Sequence, residues 1–430
     1  MKQIRIIILF ILLPGFAFSQ KASVLSLQKC IDFAIENSYR LQAKQANIEA
    51  ATEKARFDKF RGLPKLSGEL AGENHLLKPY DFSQVWASVH ADWSLGDYLL
   101  KTDRASRQQV QTLKLLREQS RLNAIEKIAS LYVAVLLNQK QKEILESRLT
   151  LMRQHYNLAL SMWKAGLRTQ LDVLQTQSAI NKIEQDTVRL AINGDQLKQE
   201  MARLMGFKNA SSIHLQPINT DHLTSLSTNS FDLNKHPLVQ AYTSKIKAKT
   251  LETEAIKARN YPLLSLGGGY FNDADPTADG NYWRVNVGIR IPIYYGHQNL
   301  HLSKMMHAQS QSLSATQKEI RRKLEIHINQ LEIKQSRLKN LLQIQQEQQK
   351  TAKKTVDFSE INYKAGLITN LEVLTAQQEL TKVSMEMEAS RLDYLMNLIE
   401  FYISTNHVDK IKALATPESG AFSNKKTLLK

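Results

Sequence analysis

Residues 163–174 of this chain read WKAGLRTQLDVL, and residues 363–374 read YKAGLITNLEVL. The two segments lie 200 positions apart, and eight of their twelve positions are identical. Each contains a glycine that suits the left-handed end of one helix. Each then has a threonine followed three positions later by an acidic residue, which is the spacing of a capping box. The repeat predicts two helical hairpins, with capping boxes at residues 169–172 and 369–372.

The repetition extends beyond these turns. Residues 63–67 read LPKLS, and residues 261–265, 198 positions later, read YPLLS. Self-similarity at a fixed separation is typical of duplicated architectures. The sequence therefore predicts a tandem duplication in which each half runs helix, strand pair, long helix, tight turn, helix.

The helical parts are predicted to be very long. No proline lies within residues 80–216 or 293–416, and a proline inside a helix costs about 3 kcal/mol. Apolar residues recur at steps of three and four in residues 145–163 and 320–342, with Gln335 as a polar interruption. This pattern predicts coiled-coil seams on helices about 100 Å long at 1.5 Å per residue.

Between the helices, apolar and polar residues alternate in residues 85–95 and 283–293. Period-two alternation predicts strands with one apolar face, and residues 66–74 and 264–271 are their expected partners. The residues expected on the lipid-facing side are Val85, Val89, Trp93, Trp283, Val285, Val287, Ile289 and Ile291.

Four strands cannot close a membrane barrel alone, because every backbone group in hydrocarbon must be hydrogen-bonded. Either the strands cover part of an ordinary protein core, or several copies of the chain close one barrel together. In the second case the polar face, with Arg284 and Arg290, would line a water-filled lumen. The long rods offer no other core for the strands to cover, which favours the shared barrel.

The N-terminus predicts export. Residues 1–19 have a positive start, a short apolar run and small residues before a cleavage point after Ser19, as in a signal peptide. Cys30 is the one cysteine, so neither an intrachain disulfide nor a zinc cluster of cysteines is expected. Since Cys30 does not follow the apolar run directly, we expect a small buried side chain and no lipid anchor.

The formal net charge of +16 indicates affinity for anionic surfaces. The basic residues are scattered along helices, so we expect no nucleic-acid partner. His297 and His301 have metal-ligand spacing, but Gln298 replaces the glutamate of a zinc protease, and the surface interpretation is preferred. We expect no enzyme activity, no cofactor and no metal site.

Residues 25–37, the prolines that enter the strands (Pro64 and Pro262) and the paired turns together resemble the TolC outer-membrane efflux family over essentially the whole mature chain. The resemblance implies a homotrimer in which four strands per chain build one twelve-stranded β-barrel in the outer membrane. It also implies a periplasmic α-helical tunnel, a periplasmic adaptor (a membrane fusion protein), an inner-membrane transporter and passive export of cargo. The expected fold is thus mainly α with membrane β.

The resemblance also suggests roles for the duplicated turns. It places the pore constriction at the second turn, where Tyr363 matches the family's constriction tyrosine and Glu372 an acidic ring position. Ile368 and Thr375 differ from the family's gate arginine and second acidic residue, which favours an apolar constriction over a hydrogen-bonded lock. Glu372 could alternatively serve only as a helix cap. The expected adaptor-contacting residues are Gly166, Leu167, Thr169, Gly366, Leu367 and Thr369.

The main rival to the efflux-duct interpretation is a periplasmic or surface coiled-coil protein, structural or adhesive, that does not transport.

The sequence divides into nine segments on these grounds. The expected segments are a signal peptide (1–19), a first helix (20–62), a first membrane hairpin (63–96), a first helical hairpin (97–206), a connecting segment (207–236), a second helix (237–262), a second membrane hairpin (263–295), a second helical hairpin (296–405) and a tail (406–430).

Overall fold

The computed structural model describes residues 24–75, 82–94, 103–210, 213–218, 231–273, 281–294 and 296–414. The expected signal peptide, both strand-connecting loop tips, and parts of the connecting segment and the tail lie outside these ranges. Among the described helices, none has the length and apolar character needed to cross a membrane.

The described chain is mainly helical with four strands, which confirms the predicted fold class at this level. In chain order the elements are α1 (Leu27–Glu36), α2 (Tyr39–Phe60), β1 (Lys65–His75), β2 (Phe82–Ser94), α3 (Asp103–Lys164), α4 (Gln170–Met205), a 3-10 turn (Leu233–Lys235), α5 (Pro237–Ala258), β3 (Leu263–Asp273), β4 (Asn281–Arg290), α6 (Gln298–Lys364), α7 (Asn370–Ser404) and α8 (Val408–Leu414).

Two helices form the long rods. α3 has 62 residues and α6 has 67, which correspond to lengths of about 93 and 100 Å. α4 packs back along α3, and α7 packs back along α6, so each half ends in a helical hairpin. α3 also packs against α2, α5 and α7, and these contacts join the two halves side by side.

The seams between the helices are apolar with a few polar interruptions, and one of these interruptions is a hydrogen-bonded pair. Leu145, Met152 and Ala159 are buried along α3. In the second half, the buried Gln335 accepts a hydrogen bond from the Asn397 side-chain amide at 2.6 Å. A buried polar residue is tolerated in a seam when it has such a partner. The pairing explains why Gln335 interrupts the apolar series.

Most of the large buried side chains form one cluster halfway along the rods, which we call the mid-rod core. It contains residues of α1, the middle of α3, and the C-terminal ends of α4 and α7, from Leu25 to Ile411. Leu25 pairs with Leu215 in a short parallel bridge. The buried Tyr132 hydroxyl hydrogen-bonds to the Gln216 carbonyl oxygen, at 2.5 Å. The mid-rod core therefore joins Leu25, near the start of the described residues, to Ile411, near their end.

The four strands form one antiparallel sheet in the order β1-β2-β3-β4. Val89 lies opposite Gly68 on one side and Tyr270 on the other, and Val285 lies opposite Gly268. This register gives the sheet one apolar face, which we call the outer face. The residues on it include Leu66, Leu70, Val89, Ala91, Trp93, Leu264, Leu266, Tyr270, Trp283, Val285, Val287 and Ile289.

The outer face is uncovered in a single chain. Trp283 is 76% exposed and Val285 is 81% exposed. Trp93 is half-buried and Val89 is exposed, whereas the side chain of Val85 lies outside what the structure describes. The opposite, inner face carries polar residues, among them Ser67, Glu69, His90, Asp92, Arg284, Asn286 and Arg290.

The sequence predicted that the last strand would reach residue 293, and this was wrong by three residues. β4 ends at Arg290, which pairs with Leu263. Continued register would place Ile291 opposite Pro262, and Pro292 follows directly. Proline has no N–H to donate, so neither proline can extend the ladder. Ile291, expected to face lipid, lies one residue beyond the strand and is exposed.

Candidate functional site

The two helical hairpins end in matching tips, tip 1 (residues 163–175) and tip 2 (residues 363–375). Gly166 has φ 71° and Gly366 has φ 81°. In tip 1 the Leu167 N–H donates to the Met162 carbonyl at 2.9 Å, and in tip 2 the Leu367 N–H donates to the Asn362 carbonyl at 2.9 Å. This is the Schellman pattern of a helix end, for which glycine is the preferred residue in the left-handed position.

The helix starts are capped, but only one capping box is complete. Thr369 accepts a hydrogen bond from the Glu372 N–H, and the Glu372 carboxylate accepts one from the Thr369 N–H at 2.7 Å. Thr169 caps the Asp172 N–H in the same way, without the reciprocal bond. Aspartate is one methylene shorter than glutamate and reaches back less far. The predicted box is therefore complete in tip 2 and half-formed in tip 1.

Arg168 of tip 1 reaches across to tip 2. Its Nη2 atom donates to the carbonyl oxygens of Tyr363, at 2.8 Å, and Ile368, at 3.0 Å. Its guanidinium also lies 4.4 Å from the centroid of the Tyr363 ring. Carbonyls at a helix C-terminus lack helical partners and carry partial negative charge. The cation therefore closes the end of α6 from a different hairpin.

A buried amide makes a second connection between the tips. The Asn370 side chain donates to the Asp172 carbonyl at 3.1 Å and to Gln175 Oε1 at 3.2 Å. Its oxygen lies 2.8 Å from His155 Nε2 and 3.3 Å from the Thr176 hydroxyl, which donates to it. Asn370, His155 and Thr176 are all buried. Together with Arg168 and Tyr363 we call these residues the tip latch.

Tyr363 occupies the centre of the tip latch. It is fully buried, between Arg168 and the His155 ring, whose centroid is 5.0 Å away. Burial raises the pKa of Tyr363, the nearby Asp172 carboxylate raises it further, and Arg168 opposes both. Within one chain the expected constriction tyrosine thus points into the tip rather than onto an open surface.

The other expected constriction residues lie nearer the surface. Ile368 is half-buried, and its carbonyl accepts from Arg168. Thr375 is exposed, and its hydroxyl donates to the Leu371 carbonyl at 2.8 Å. Glu372 is exposed, and hydrogen bonds from Thr369 lower the pKa of its carboxyl. A single chain therefore displays Glu372 as a cap, and a ring would need further copies.

The six residues expected to contact an adaptor are all exposed: Gly166, Leu167, Thr169, Gly366, Leu367 and Thr369. Leu167 is 69% exposed and Leu367 is 75% exposed. Leu171 and Leu371, one turn further on, are exposed as well. Each tip therefore presents a small apolar surface that its own chain leaves uncovered.

The sequence did not reveal the polar contacts of the tip latch. Hydrogen bonds do join the tips, but the arginine comes from tip 1, not from the position of Ile368. The available signal was the mismatch between the repeats at positions 168 and 368 and at 170 and 370. Of the four residues at these two mismatched positions, Arg168 and Asn370 make the hydrogen bonds of the tip latch.

Other polar groups in the described ranges do not form a chemical site. No group of three or more histidine, cysteine or acidic side chains lies together there. His297 stacks edge-on against Tyr294, with centroids 5.5 Å apart. Cys30 is buried in the mid-rod core, and burial raises its pKa to about 12, so its thiolate is disfavoured.

The chain matches known proteins along most of its length. The model of the family described as "Outer membrane efflux protein" matches residues 30–207 and 232–407. The alkaline protease secretion protein AprF of Pseudomonas aeruginosa is 22% identical over 415 residues, covering 87% of this chain and 83% of that protein. The outer membrane protein OprJ of the same organism is 22% identical over 297 residues, covering 64% and 61% of the two chains.

The fold also matches solved structures. A crystal structure of CusC aligns with this chain with a TM-score of 0.82 at 18% identity. The alignment covers 88% of this chain and 92% of that one. At this identity the likeness extends to the arrangement of rods and strands.

Proposed function

Because the chain belongs to the outer membrane efflux protein family, we propose that it is the exit duct of a three-part export system. The protein is located in the outer membrane, with its helical rods in the periplasm. In the proposed system an inner-membrane transporter and a periplasmic adaptor deliver cargo, which then passes through the duct without chemical change.

The observation that carries this proposal is the four-stranded sheet with one apolar face. β1 and β4 have no further strand beside them in the described chain. In hydrocarbon their free N–H and C=O groups must be paired. Copies joined edge to edge pair them, and three copies give twelve strands, as the family resemblance implies. The apolar outer face then contacts lipid and the inner face lines an aqueous exit.

The rods support the same arrangement. They lie beyond the end of the sheet at which β1 and β3 start and β2 and β4 end. A ring of copies would therefore continue the wall of the barrel as a helical tunnel. Exposed apolar residues remain along the helices of both hairpins, including Val188 and Ile192 on α4 and Ile326, Ile333 and Ile344 on α6. Such residues in a single chain are expected to pack against neighbouring copies.

The tips would form the closed periplasmic end and the adaptor contact. The tip latch joins the two hairpins of one chain by hydrogen bonds at their ends, and opening requires these bonds to break. The exposed leucines of both tips offer an apolar surface to a partner helix.

A matched pair of substitutions tests the barrel. Val287 and Asn286 are adjacent near the middle of β4, on the outer and inner faces respectively. A lysine at the bilayer midplane on the lipid face costs about 2–4 kcal/mol, whereas a lysine in the lumen is tolerated. We expect Val287→Lys to reduce the detergent-extracted trimer in outer-membrane fractions, and Asn286→Lys to assemble and shift channel selectivity toward anions.

The coiled-coil rival makes a different prediction. It requires no lipid-facing strands, so both variants would behave alike, and the wild type would leave the membrane fraction without detergent. Either result, or a purified wild type that is a monomer and conducts no ions in planar bilayers, would rule out the duct.

A further inference from the structure

A second duplicated motif lies where helices turn into strands. Residues 59–64 read KFRGLP and residues 257–262 read KARNYP, 198 positions apart. Both follow the order lysine, any residue, arginine, any residue, leucine or tyrosine, proline. α2 and α5 end inside these segments, so each lysine lies in a last helical turn and each arginine follows the helix. We call Lys59, Arg61, Lys257 and Arg259 the junction cations.

In the part of the chain that the structure describes, the junction cations form no ion pair, and the only ring contact among them is that of Lys59 Nζ, 5.9 Å from the centroid of the neighbouring Phe60 ring. All four are exposed, and none forms an ion pair with a described carboxylate. Two carboxylates of α2 are already engaged. Asp58 accepts a hydrogen bond from Ser106, and Glu53 pairs with Arg56. A helix dipole accounts for a lysine in a last turn, but the arginines come after the helix ends.

The position of these cations is set by the sheet. Because the strands are antiparallel, the starts of β1 and β3 and the ends of β2 and β4 lie along one edge, the helix-proximal edge. Four aromatic residues lie along this edge: Phe60, Trp93, Tyr261 and Tyr294. Phe60, Tyr261 and Tyr294 are exposed. Aromatic residues at the end of an apolar sheet face mark the headgroup level of a bilayer.

We propose that the junction cations bind the phosphate groups of anionic phospholipids in the periplasmic leaflet of the outer membrane. This rests on the proposed function, since it requires the outer face to lie in lipid. The helix-proximal edge then lies at headgroup depth, where each arginine can donate two hydrogen bonds to one phosphate and the lysine adds a second charge. Two motifs per chain would distribute such contacts around the duct.

Trp93 provides a local probe for the experiment. Its indole N–H donates to the Gly62 carbonyl at 2.8 Å, directly beside Arg61 in the first motif. The chain has three other tryptophans, Trp86, Trp163 and Trp283, and their replacement by phenylalanine leaves Trp93 as the single fluorophore. This background protein is reconstituted into phosphatidylcholine vesicles with phosphatidylglycerol as the anionic lipid, and either lipid carries brominated acyl chains that quench nearby tryptophan.

We expect brominated phosphatidylglycerol to be preferred over brominated phosphatidylcholine at Trp93 by about fivefold, the factor for one lysine or arginine near an anionic surface. The preference should fall with added salt. Both brominated lipids should quench Trp93 equally in the quadruple junction variant, which carries Lys59→Gln, Arg61→Gln, Lys257→Gln and Arg259→Gln. The control variant removes the same amount of charge from exposed positions on α6 and should keep the preference for phosphatidylglycerol. It carries Arg337→Gln, Lys339→Gln, Lys353→Gln and Lys354→Gln.

Three results would overturn the proposal. The wild-type background could quench equally with both lipids, or the quadruple junction variant could retain the preference. The junction variant could instead dissociate the trimer while the wild type shows no preference, which would assign the cations to a neighbouring copy. A failure of the proposed function looks different, because no brominated lipid of either kind would then quench Trp93.

Discussion

At the scale of single residues, one guanidinium stands between two carbonyl oxygens of another hairpin. Arg168→Met keeps an apolar stem of similar length but removes both hydrogen bonds and the ring contact. Hydrogen bonds that involve a charged group contribute about 1.5–3 kcal/mol, and Arg168 is half-buried, so we take the lower end. We expect the open population to rise about tenfold, measured as conductance in planar bilayers.

The control for this prediction lies on the same tip. Lys164 is exposed and also loses one positive charge in Lys164→Met. If both variants change conductance equally, general charge loss is responsible and Arg168 has no specific role in holding the tips.

Two interpretations of Glu372 are to be separated: a helix cap alone, or a cap that is also part of an acidic ring in the assembled duct. Glutamine can accept the same hydrogen bond from Thr369, so Glu372→Gln should preserve tip 2 while removing one charge per chain. We expect cation preference and block by divalent cations to decrease in reversal-potential and conductance measurements. Glu379→Gln, on the exposed side of the same helix, is the control. Unchanged ion selectivity in Glu372→Gln would exclude the acidic ring and leave the helix cap as the only role of Glu372.

The pH dependence of this effect follows from the direction of the pKa shift. Hydrogen bonds from Thr369 hold the folded-state pKa of Glu372 below the ordinary value of 4.5. A depressed carboxyl pKa contributes stability that is present above the ordinary value and is lost as the pH falls through the folded value. A carboxyl group is mostly ionised at any pH above its pKa, so Glu372 should keep its negative charge when the bath is acidified to pH 4.5. The Glu372-dependent selectivity should then persist at that pH.

At this scale the sequence predicted what is local. The turn glycines and the threonine caps depend on neighbours within a few positions, and both tips have them. The partners of Arg168 lie 195 and 200 positions away in the chain. The contact depends on how two hairpins pack, and periodicity contains no information on that packing beyond the mismatch between the repeats.

At the scale of elements, the middle strands approach each other closely at one glycine. A Cβ atom on Gly269 would lie 2.6 Å from the Val89 carbonyl oxygen and 2.8 Å from His90 Cβ. A Cβ on the adjacent Gly268 would have its nearest neighbour at 3.5 Å. Overpacking of this kind costs about 1–3 kcal/mol. We expect Gly269→Ala to lower the melting temperature of the assembled protein and Gly268→Ala to change it little.

This comparison is internally controlled, because the two variants add the same methyl group to neighbouring positions of one strand. Equal melting temperatures would mean that β2 and β3 can separate enough to admit the methyl group at either position. The close approach would then have no energetic consequence.

Element types were more predictable than element ends. The alternation of apolar and polar residues in 283–293 identified a strand, because this alternation depends only on which residues of the strand face lipid or lumen. The end at Arg290 depends on the register with β3, which places Pro262 opposite Ile291. That pairing depends on how two strands align in the folded sheet. The apolar alternation continues past Arg290 unchanged, so it could not indicate where the strand ends.

At the scale of the whole molecule, we propose that the tips connect the duct to an adaptor. Leu167 and Leu367 are exposed equivalents in the two repeats. We expect Leu167→Asp with Leu367→Asp to abolish co-purification with the adaptor and to stop export in cells, because two carboxylates would be desolvated at an apolar contact. Conductance of the purified duct should remain within about twofold of the wild type, since neither side chain belongs to the tip latch.

Tyr39→Asp serves as the control, since Tyr39 is exposed at the start of α2, far from the tips. If the double variant still co-purifies with the adaptor, the adaptor contact lies elsewhere on the helical tunnel.

The mid-rod core has a consequence for biogenesis. It assembles Leu25, the middle of α3, the end of α7 and Ile411 into a single cluster. Contacts so distant along the chain form slowly, after most of the loop-closure entropy has been lost. A nascent chain emerging into the periplasm therefore cannot complete this cluster until α8, which contains Ile411, has been translocated. A prematurely terminated copy would remain open to periplasmic proteases, which would keep leaky ducts out of the outer membrane.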